Sequence, residues 1–339
     1  MAFLRAKSFY GILIFLVLIS TFSGIVGAEE YLDYEEDIAE YEFQLANLSL
    51  TRSPGEYANA KFDLGVAYYE LSKVKDRETN LDRAIEAYNE ALKIFTIDEN
   101  SYNYAATQNN LGIAYRYLAE IREEEENLNM TIESYNEALK IFTIDGHPYD
   151  YAATQNSLGI ACRRLAEVRD REANLDRATE AYNEALKVRT FDKYPYEYAA
   201  TQNDLGVAHY DLAEVGDREA NLDRAIEAYN EALKVRTFDK YPYDYAATQH
   251  NLAVAYYDLA EVRNGEENLN RAIEAYNEAL KVFTFDKYPY DYAATQNKLG
   301  VAYYDLSKLR DKEENLKKAS SANNEALKAY EILRDTQQC

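Results

Sequence analysis

Apolar residues along the chain recur at spacings of three and four, which is the pattern of an amphipathic helix and not of a strand. In the stretch that begins at Tyr104, this spacing is followed by Leu111, then Ala114 or Tyr115, and then Leu118. A second stretch begins at Leu128 and places Tyr135 on the same helix face as Leu128. Charged residues at 122–126 separate the two stretches. The pattern predicts two helices joined by a charged turn.

This unit repeats along almost the whole chain. The phrase Tyr-Ala-Ala-Thr-Gln recurs every 47 residues, and it begins at Tyr104, Tyr151, Tyr198, Tyr245 and Tyr292, with a diverged copy at Tyr57. A fixed period of this length is typical of a solenoid, in which each unit buries its apolar face against its neighbours. The sequence predicts an all-α superhelix of six helix–turn–helix copies over residues 57–338.

Glycines recur at one position of the first helix, although a glycine inside a helix costs about 1 kcal/mol relative to alanine. These residues are Gly65, Gly112, Gly159, Gly206 and Gly300, and Ala253 takes their place in the fifth copy. A repeated glycine at such a cost predicts close contact with a neighbouring helix.

Asparagines and prolines indicate where the helices begin. An asparagine stands before the second helix of every copy, at 80, 127, 174, 221, 268 and 315, and we predict it to be the N-cap. Prolines at 148, 195, 242 and 289 suit the first turn of the next helix, where the missing N–H costs nothing.

The two ends of the array differ from its middle. Residues 34–50 align with a second helix, since Ile38 matches Ile85 and Tyr41 matches Tyr88. We therefore predict a capping helix and linker at residues 29–56. In the last copy the same two positions are Ser320 and Asn323, and polar residues are expected on a helix that faces solvent and ends the array.

The repeat resembles the tetratricopeptide repeat. The resemblance rests on Leu64, Gly65 and Tyr68 in the first helix and on Ala84, Tyr88 and Leu92 in the second, and it covers residues 57–335. The period of 47 is similar to a long variant found in archaeal and cyanobacterial arrays. The resemblance implies paired antiparallel helices in a right-handed superhelix, with the first helices lining a concave groove.

The N-terminus has the pattern of an export signal. Arg5 and Lys7 precede an apolar run, and Val26-Gly27-Ala28 offers small residues for cleavage. We predict a signal peptide at residues 1–28 and a secreted or cell-surface protein. Because about twenty apolar residues can span a bilayer, an uncleaved membrane anchor is the alternative.

The composition excludes several classes of function. A formal net charge of -23 at pH 7 disfavours nucleic acid as a partner, because the surface repels phosphates. No phosphate-binding loop or zinc-ligand spacing occurs, so we expect no cofactor and no metal site. Cys162 and His209 take a tyrosine position in successive copies, where we interpret them as core substitutions. We expect a protein that is not an enzyme.

The predicted groove residues lie two before, two after, five after and six after the repeated leucine of each first helix. In copies four to six they include Asn203, Tyr210 and Asp211; His250, Tyr257 and Asp258; and Asn297, Tyr304 and Asp305. In copies two and three they include Arg116, Arg163 and Arg164. Asparagine can bind a peptide backbone, tyrosine provides amphipathic contact and aspartate attracts basic side chains.

These features predict an exported scaffold that binds a protein or peptide segment, basic or mixed in charge, in the groove. Two alternatives belong to other classes of function. One is a structural spacer of the cell envelope, and the other is a surface protein that stacks sugars on its tyrosines.

Overall fold

The computed structural model describes residues 26–336 of the 339-residue chain, and all its regular structure there is helical. One helix precedes six consecutive pairs. The helices are α1 (Val26–Asn47), α2 (Pro54–Ser72), α3 (Arg77–Ala91), α4 (Ser101–Leu118), α5 (Glu124–Leu139), α6 (Pro148–Val168), α7 (Arg171–Leu186), α8 (Pro195–Leu212), α9 (Arg218–Leu233), α10 (Pro242–Val262), α11 (Gly265–Leu280), α12 (Pro289–Ser307) and α13 (Lys312–Thr336).

Most of the predicted export signal, residues 1–25, lies outside the described residues. Residues 26–28 form the first turn of α1. Among the helices that are described, none is both long and apolar enough to cross a membrane.

The packing order of the helices confirms the predicted solenoid. The two helices of each repeat pack together, and each second helix packs against the first helix of the next repeat. The leading helix α1 packs against α2, where its Ile38 is buried beside Leu64 and Tyr68. The core is therefore a continuous series of small clusters that cross every repeat boundary.

Four of the five repeated glycines lie against a tyrosine ring of the second helix, and Gly300 of the last copy lies against Asn323. A Cβ atom on Gly206 would lie 2.6 Å from the Tyr229 ring, and one on Gly159 would lie 2.5 Å from the Tyr182 ring. Gly65 and Gly112 meet Tyr88 and Tyr135 in the same way. The predicted close approach of the two helices is confirmed, and in these four copies the group that approaches is an aromatic ring.

The prolines lie where the pattern predicted, but the asparagines do not. Pro148, Pro195, Pro242 and Pro289 each begin a first helix. The prediction that the repeated asparagines are N-caps is wrong, because each second helix begins three residues earlier.

The repeated asparagine is instead a buried hydrogen-bond donor. Nδ2 of Asn268 donates to the carbonyl of Arg263 over 2.9 Å, and the side chain is 3% exposed. Equivalent bonds occur at Asn80, Asn127, Asn174 and Asn315. An amide satisfies the carbonyl that the sharp turn leaves unpaired, which explains why the residue recurs.

In five of the six repeats the turn between the two helices contains one residue in the left-handed conformation, and in the fourth copy Asp217 has φ -65° instead. Asp76, Asp170, Asn264 and Asp311 have φ between 42° and 48°, and Glu123 has φ 47°. Aspartate and asparagine tolerate this region better than most residues.

The solenoid curves with its first helices on the inner side. Successive first helices, such as α8 and α10, contact each other, whereas successive second helices within the described residues do not. The first helices therefore line the concave face, as the resemblance implied.

Candidate functional site

The concave face carries a row of contacts that joins neighbouring repeats. The hydroxyl of Tyr210 donates to Oδ2 of Asp258 over 2.6 Å. Arg163 lies 3.5 Å from Asp211 in the preceding pair of repeats. In the first pair of repeats, Tyr69 and Tyr117 take these positions, and the centroids of their rings are 5.7 Å apart. Each of these contacts joins residues 48 apart. Between copies two and three the equivalent residues are Arg116 and Arg164, and Arg164 binds Glu120 and Glu124 instead.

In the Tyr–Asp contacts, the tyrosine hydroxyl keeps its proton. Burial, and then the hydrogen bond to Asp258, raises the pKa of Tyr210 above its usual range. Tyr257 behaves in the same way beside Asp305. Burial opposes ionisation of Asp305, but bonds from Lys308 and Tyr257 outweigh it and lower the pKa of the carboxyl group. At neutral pH the two tyrosines are therefore donors, and Asp305 is an anionic acceptor.

A second row on the same face links the predicted asparagines to threonines. Oδ1 of Asn203 accepts from Thr248 of the next repeat over 3.2 Å, and earlier copies have the same bond. In the fifth copy, Nδ1 of His250 lies 2.9 Å from Oγ1 of Thr295. Burial, together with Lys298, lowers the pKa of His250 to about 4, so the ring is neutral near pH 7. These side chains therefore stabilise the stacking of the repeats as well as lining the groove.

In the last copy the groove residues have no following repeat within the described chain. Asn297 is exposed, and Tyr304 is 50% exposed with Lys308 over its ring. A pocket of about 440 Å³ opens here, lined by Tyr304 together with Val301 and Leu316. Ser320 and Asn323 also line it, and both are exposed as expected.

The predicted arginines differ in how firmly they are held. Arg164 is bound by two glutamates, with its nitrogens 3.2 Å from Glu120 and 3.1 Å from Glu124. The nearest acid to Arg116 is Glu120, at 3.9 Å, and the guanidinium also lies over the Tyr117 ring. Arg163 lies 3.5 Å from Asp211 and 3.7 Å from Glu167. Of these three arginines, only Arg164 therefore has close hydrogen bonds to carboxyl groups.

Two further arginines, which the sequence analysis did not single out, reach the threonine row. Arg189 donates to Thr201 over 2.9 Å, and Arg236 donates to Thr248 over 3.0 Å. Arg236 is only 7% exposed. Both take a position that is a buried phenylalanine in copies one, two and five (Phe95, Phe142 and Phe283). The exchange of phenylalanine for arginine was the signal that could have identified them.

One pocket lies between copies four and five. Its volume is about 320 Å³, and it is lined by Tyr210, Asp258, Glu214, Arg218 and Leu222, with Ala213. Two of the predicted groove residues therefore form the wall of a concave, mixed-polarity site.

The cysteine–histidine pair has no activated member. Burial raises the pKa of the Cys162 thiol to about 11. Burial, and then the nearby Arg224, lowers the pKa of His209 to about 4. A protonated thiol and a weakly basic imidazole do not form a nucleophilic dyad. Over residues 26–336, no group of three or more His, Cys, Asp or Glu side chains is arranged to hold a metal.

Comparison with known proteins agrees with this geometry. The tetratricopeptide repeat family model matches residues 66–95 and 253–283, which lie in the first and fifth copies. The chain therefore contains tetratricopeptide repeats. Since the other copies share the period and the contacts of the matched ones, we take all six as tetratricopeptide repeats. A search of curated proteins found no match to the sequence.

A solved tetratricopeptide repeat structure shares the fold. The C-terminal part of a TPR repeat-containing protein from Cytophaga hutchinsonii has a TM-score of 0.53 at 13% identity, covering 88% of this chain and 98% of that one. BtubC from P. vanneervenii has a TM-score of 0.49 at 18% identity, covering 76% of this chain and 91% of that one. At such low identity the likeness concerns the fold alone.

Proposed function

We propose that this tetratricopeptide repeat protein is an exported scaffold that holds an extended segment of another protein in its concave groove. The repeat fold itself supports a role in protein interaction. The observation that carries the finer proposal is the row of Tyr, Asp and Arg side chains along the inner face, where successive first helices meet.

The groove has the chemistry to hold a segment of mixed charge. Asp258 accepts one bond from Tyr210, and a carboxylate has further lone pairs for a basic side chain. Arginines face the groove in copies two and three. The pocket of about 320 Å³ beside Tyr210 and Asp258 offers room for a side chain of the partner.

Export is supported by the sequence alone. Arg5 and Lys7 precede the apolar run, and the small residues that end at Ala28 suit a signal peptidase. The mature surface would be strongly acidic and so would attract basic partners outside the cell.

Affinity capture from the native cell envelope tests the proposal. The immobilised protein is expected to retain a defined partner at moderate salt. Truncation of Tyr257 and Asp258 to alanine should weaken binding by about 1–3 kcal/mol if they are hot spots.

The double truncation also removes contacts between repeats, because Tyr257 binds Asp305 and Asp258 binds Tyr210. Arg263→Ala is a matched control. It breaks the ion pairs of Arg263 with Glu219 and Asp223, which join repeats away from the groove. Equal loss of the partner on both variants would show that general loosening is responsible, and undiminished retention on the truncated groove would refute the proposal.

One observation favours the sugar-binding alternative. Tyrosine rings pair across the turns between repeats, and the centroids of Tyr196 and Tyr241 are 5.1 Å apart. Tyr243 and Tyr290 on this edge are 45% and 53% exposed. Exposed aromatic faces can stack on sugar rings. Binding to envelope polysaccharide that is lost in Tyr243→Ala, but kept in the Tyr257/Asp258 variant, would favour this alternative.

A further inference from the structure

Two Asn-x-Ser/Thr sequences occur in the chain, and such a sequence is the acceptor for N-linked glycans in exported proteins. The first is Asn47-Leu48-Ser49, and the second is Asn129-Met130-Thr131. The proposed function places both outside the cell. A transferase must reach the asparagine amide and the hydroxyl two residues later, and a bulky glycan must fit on the folded surface. One of the two sequences meets these conditions.

The second sequence lies inside a helix and is held by the fold. Asn129 and Thr131 are in α5, and Oδ1 of Asn129 accepts a hydrogen bond from Arg169 of the next repeat over 3.1 Å. Thr131 is 0% exposed, and its hydroxyl donates to the carbonyl of Asn127 over 2.9 Å. An enzyme cannot reach that hydroxyl in the folded chain, and a glycan on Asn129 would disturb the contact with Arg169. This sequence is therefore a poor acceptor.

The first sequence lies at the exposed end of a helix. Asn47 is the last residue of α1, and residues 48–53 form the turn that leads to α2. The Asn47 side chain is exposed, and its amide donates to the carbonyl of Phe43 in the same helix over 3.0 Å. The hydroxyl of Ser49 lies 3.0 Å from that of Thr51 in the same turn. These contacts are local, so the turn can open to an enzyme without disturbing the stacking of the repeats.

A glycan on Asn47 would point away from the packed face of α1. That face consists of Ile38, Tyr41 and Leu45, which pack against residues of the first repeat. A helix turns by about 100° per residue, so Asn47 lies about 200° from Leu45, on the opposite side of the helix. A bulky group on the Asn47 amide therefore projects into solvent and not towards α2.

The same side of α1 carries an apolar side chain that the described part of the chain leaves uncovered. Phe43 is 72% exposed and lies one helical turn before Asn47. Residues four apart are neighbours on a helix surface, so a glycan on Asn47 lies beside the Phe43 ring. N-linked glycans are bulky and solubilising. A glycan at this position would therefore reduce the area of the ring that is open to other surfaces.

We propose that Asn47 carries an N-linked glycan that shields Phe43. The proposal rests on the export part of the proposed function. The donor is a glycan joined through its anomeric carbon to a phosphorylated polyprenol lipid, and a transferase of the native cell catalyses the step. Nδ2 of Asn47 forms a bond to the anomeric carbon while the bond from that carbon to the phosphate oxygen breaks. The lipid phosphate leaves with the electron pair, and one amide proton passes to a base of the transferase.

Mass spectrometry of the full chain, purified from its native cells, tests the modification. The peptide that contains Asn47 is expected to be heavier than its sequence by a whole number of sugar residues. The peptide that contains Asn129 is expected at its unmodified mass. Asn47→Gln and Ser49→Ala should each abolish the added mass, whereas Ser49→Thr keeps a hydroxyl at the acceptor position and should keep it. Asn129→Gln is the matched control, and it should leave the glycan unchanged.

A second measurement tests the shielding of the aromatic ring. Asn47→Gln is expected to bind more of a hydrophobic fluorescent dye than the natural protein, because the Phe43 ring is then uncovered. The double variant Phe43→Gln/Asn47→Gln should return dye binding to that of the natural protein. Thermal unfolding verifies that both variants keep the fold. Equal dye binding by the natural protein and by Asn47→Gln would overturn the shielding.

The glycan itself is refuted if the peptide that contains Asn47 has its unmodified mass in the exported protein, or if Asn129 is modified instead. A protein without the glycan that forms a dimer, which Phe43→Gln dissociates, would show that a second copy covers the ring.

Failure of this inference is distinct from failure of the proposed function. The same spectra show whether residues 1–28 are still attached, and cell fractionation shows where the protein is recovered. An unmodified protein that is recovered outside the cell membrane would overturn the glycan and leave export. An unmodified protein that is recovered inside the cell would overturn export as well.

Discussion

The hydroxyl of Tyr257 donates a 2.6 Å hydrogen bond to Oδ2 of Asp305, which lies 48 residues later in the next repeat. The same bond joins Tyr210 to Asp258. The groove surface is thus also a seam between repeats, and a change there alters both binding and stability.

Removal of the hydroxyl at this seam should destabilise the array. Tyr257→Phe leaves Oδ2 of Asp305 without its tyrosine donor while Lys308 still binds Oδ1, and the expected cost is about 1–2 kcal/mol because the bond involves a charged group. Urea unfolding monitored by circular dichroism measures the loss. Tyr304→Phe is the control, since Tyr304 is half exposed and donates to no aspartate in the described chain. Equal stability of the two variants would contradict a structural role for the bond.

The close contact between Gly206 and the Tyr229 ring leads to a second prediction. Gly206→Ala would place a Cβ atom 2.6 Å from the Tyr229 ring, so we expect a loss of about 1–3 kcal/mol from overpacking. Gly55→Ala is the control, because nothing lies within 4 Å of the new atom and alanine favours the helix. The fifth copy already carries Ala253, where the Tyr276 ring meets the edge of His250. A Gly206→Ala protein as stable as the natural one would show that the ring can shift in the other copies too.

The sequence predicted the helices, their pairing and the close contact at Gly206 because each of these follows from a local pattern. It did not predict the roles of Asn268 or Tyr257. An asparagine before a helix suits an N-cap, and only the three-dimensional turn shows that Asn268 donates to the Arg263 carbonyl instead. The partners of Tyr257 and Arg163 lie 48 residues away, so their pairing depends on how the repeats stack and not on local spacing.

The corrected role of the asparagine leads to a third prediction. Aspartate is as good an N-cap as asparagine, so Asn268→Asp would be harmless at a cap. At the buried donor position, this substitution removes the amide that donates to the Arg263 carbonyl and places a carboxylate in the interior. We expect a loss of at least about 2 kcal/mol, which thermal and urea unfolding would detect. Asp217→Asn is a comparison at a true cap, where the side chain accepts from Ala220, and it should cost little.

Acid should weaken the fold through its two partly buried histidines. Burial lowers the pKa of His209 and His250 from 6.5 to about 4, so the folded protein favours the neutral rings. Their contribution to stability is fully present above pH 6.5 and is lost as the pH falls from 6.5 towards 4, because the unfolded chain then binds protons that the folded chain does not.

A double variant isolates this effect from the carboxylates. Burial raises the pKa of Asp204 and Asp211, and that shift acts in the opposite direction, since it favours the folded state as the pH falls. His250→Asn restores the residue that most copies carry, and His209→Tyr restores the residue of most copies at its position. The free energy of unfolding of the double variant, measured from pH 7 to pH 4.5, is expected to fall less than that of the natural protein. Parallel curves for the two proteins would show that neither histidine is held neutral by the fold.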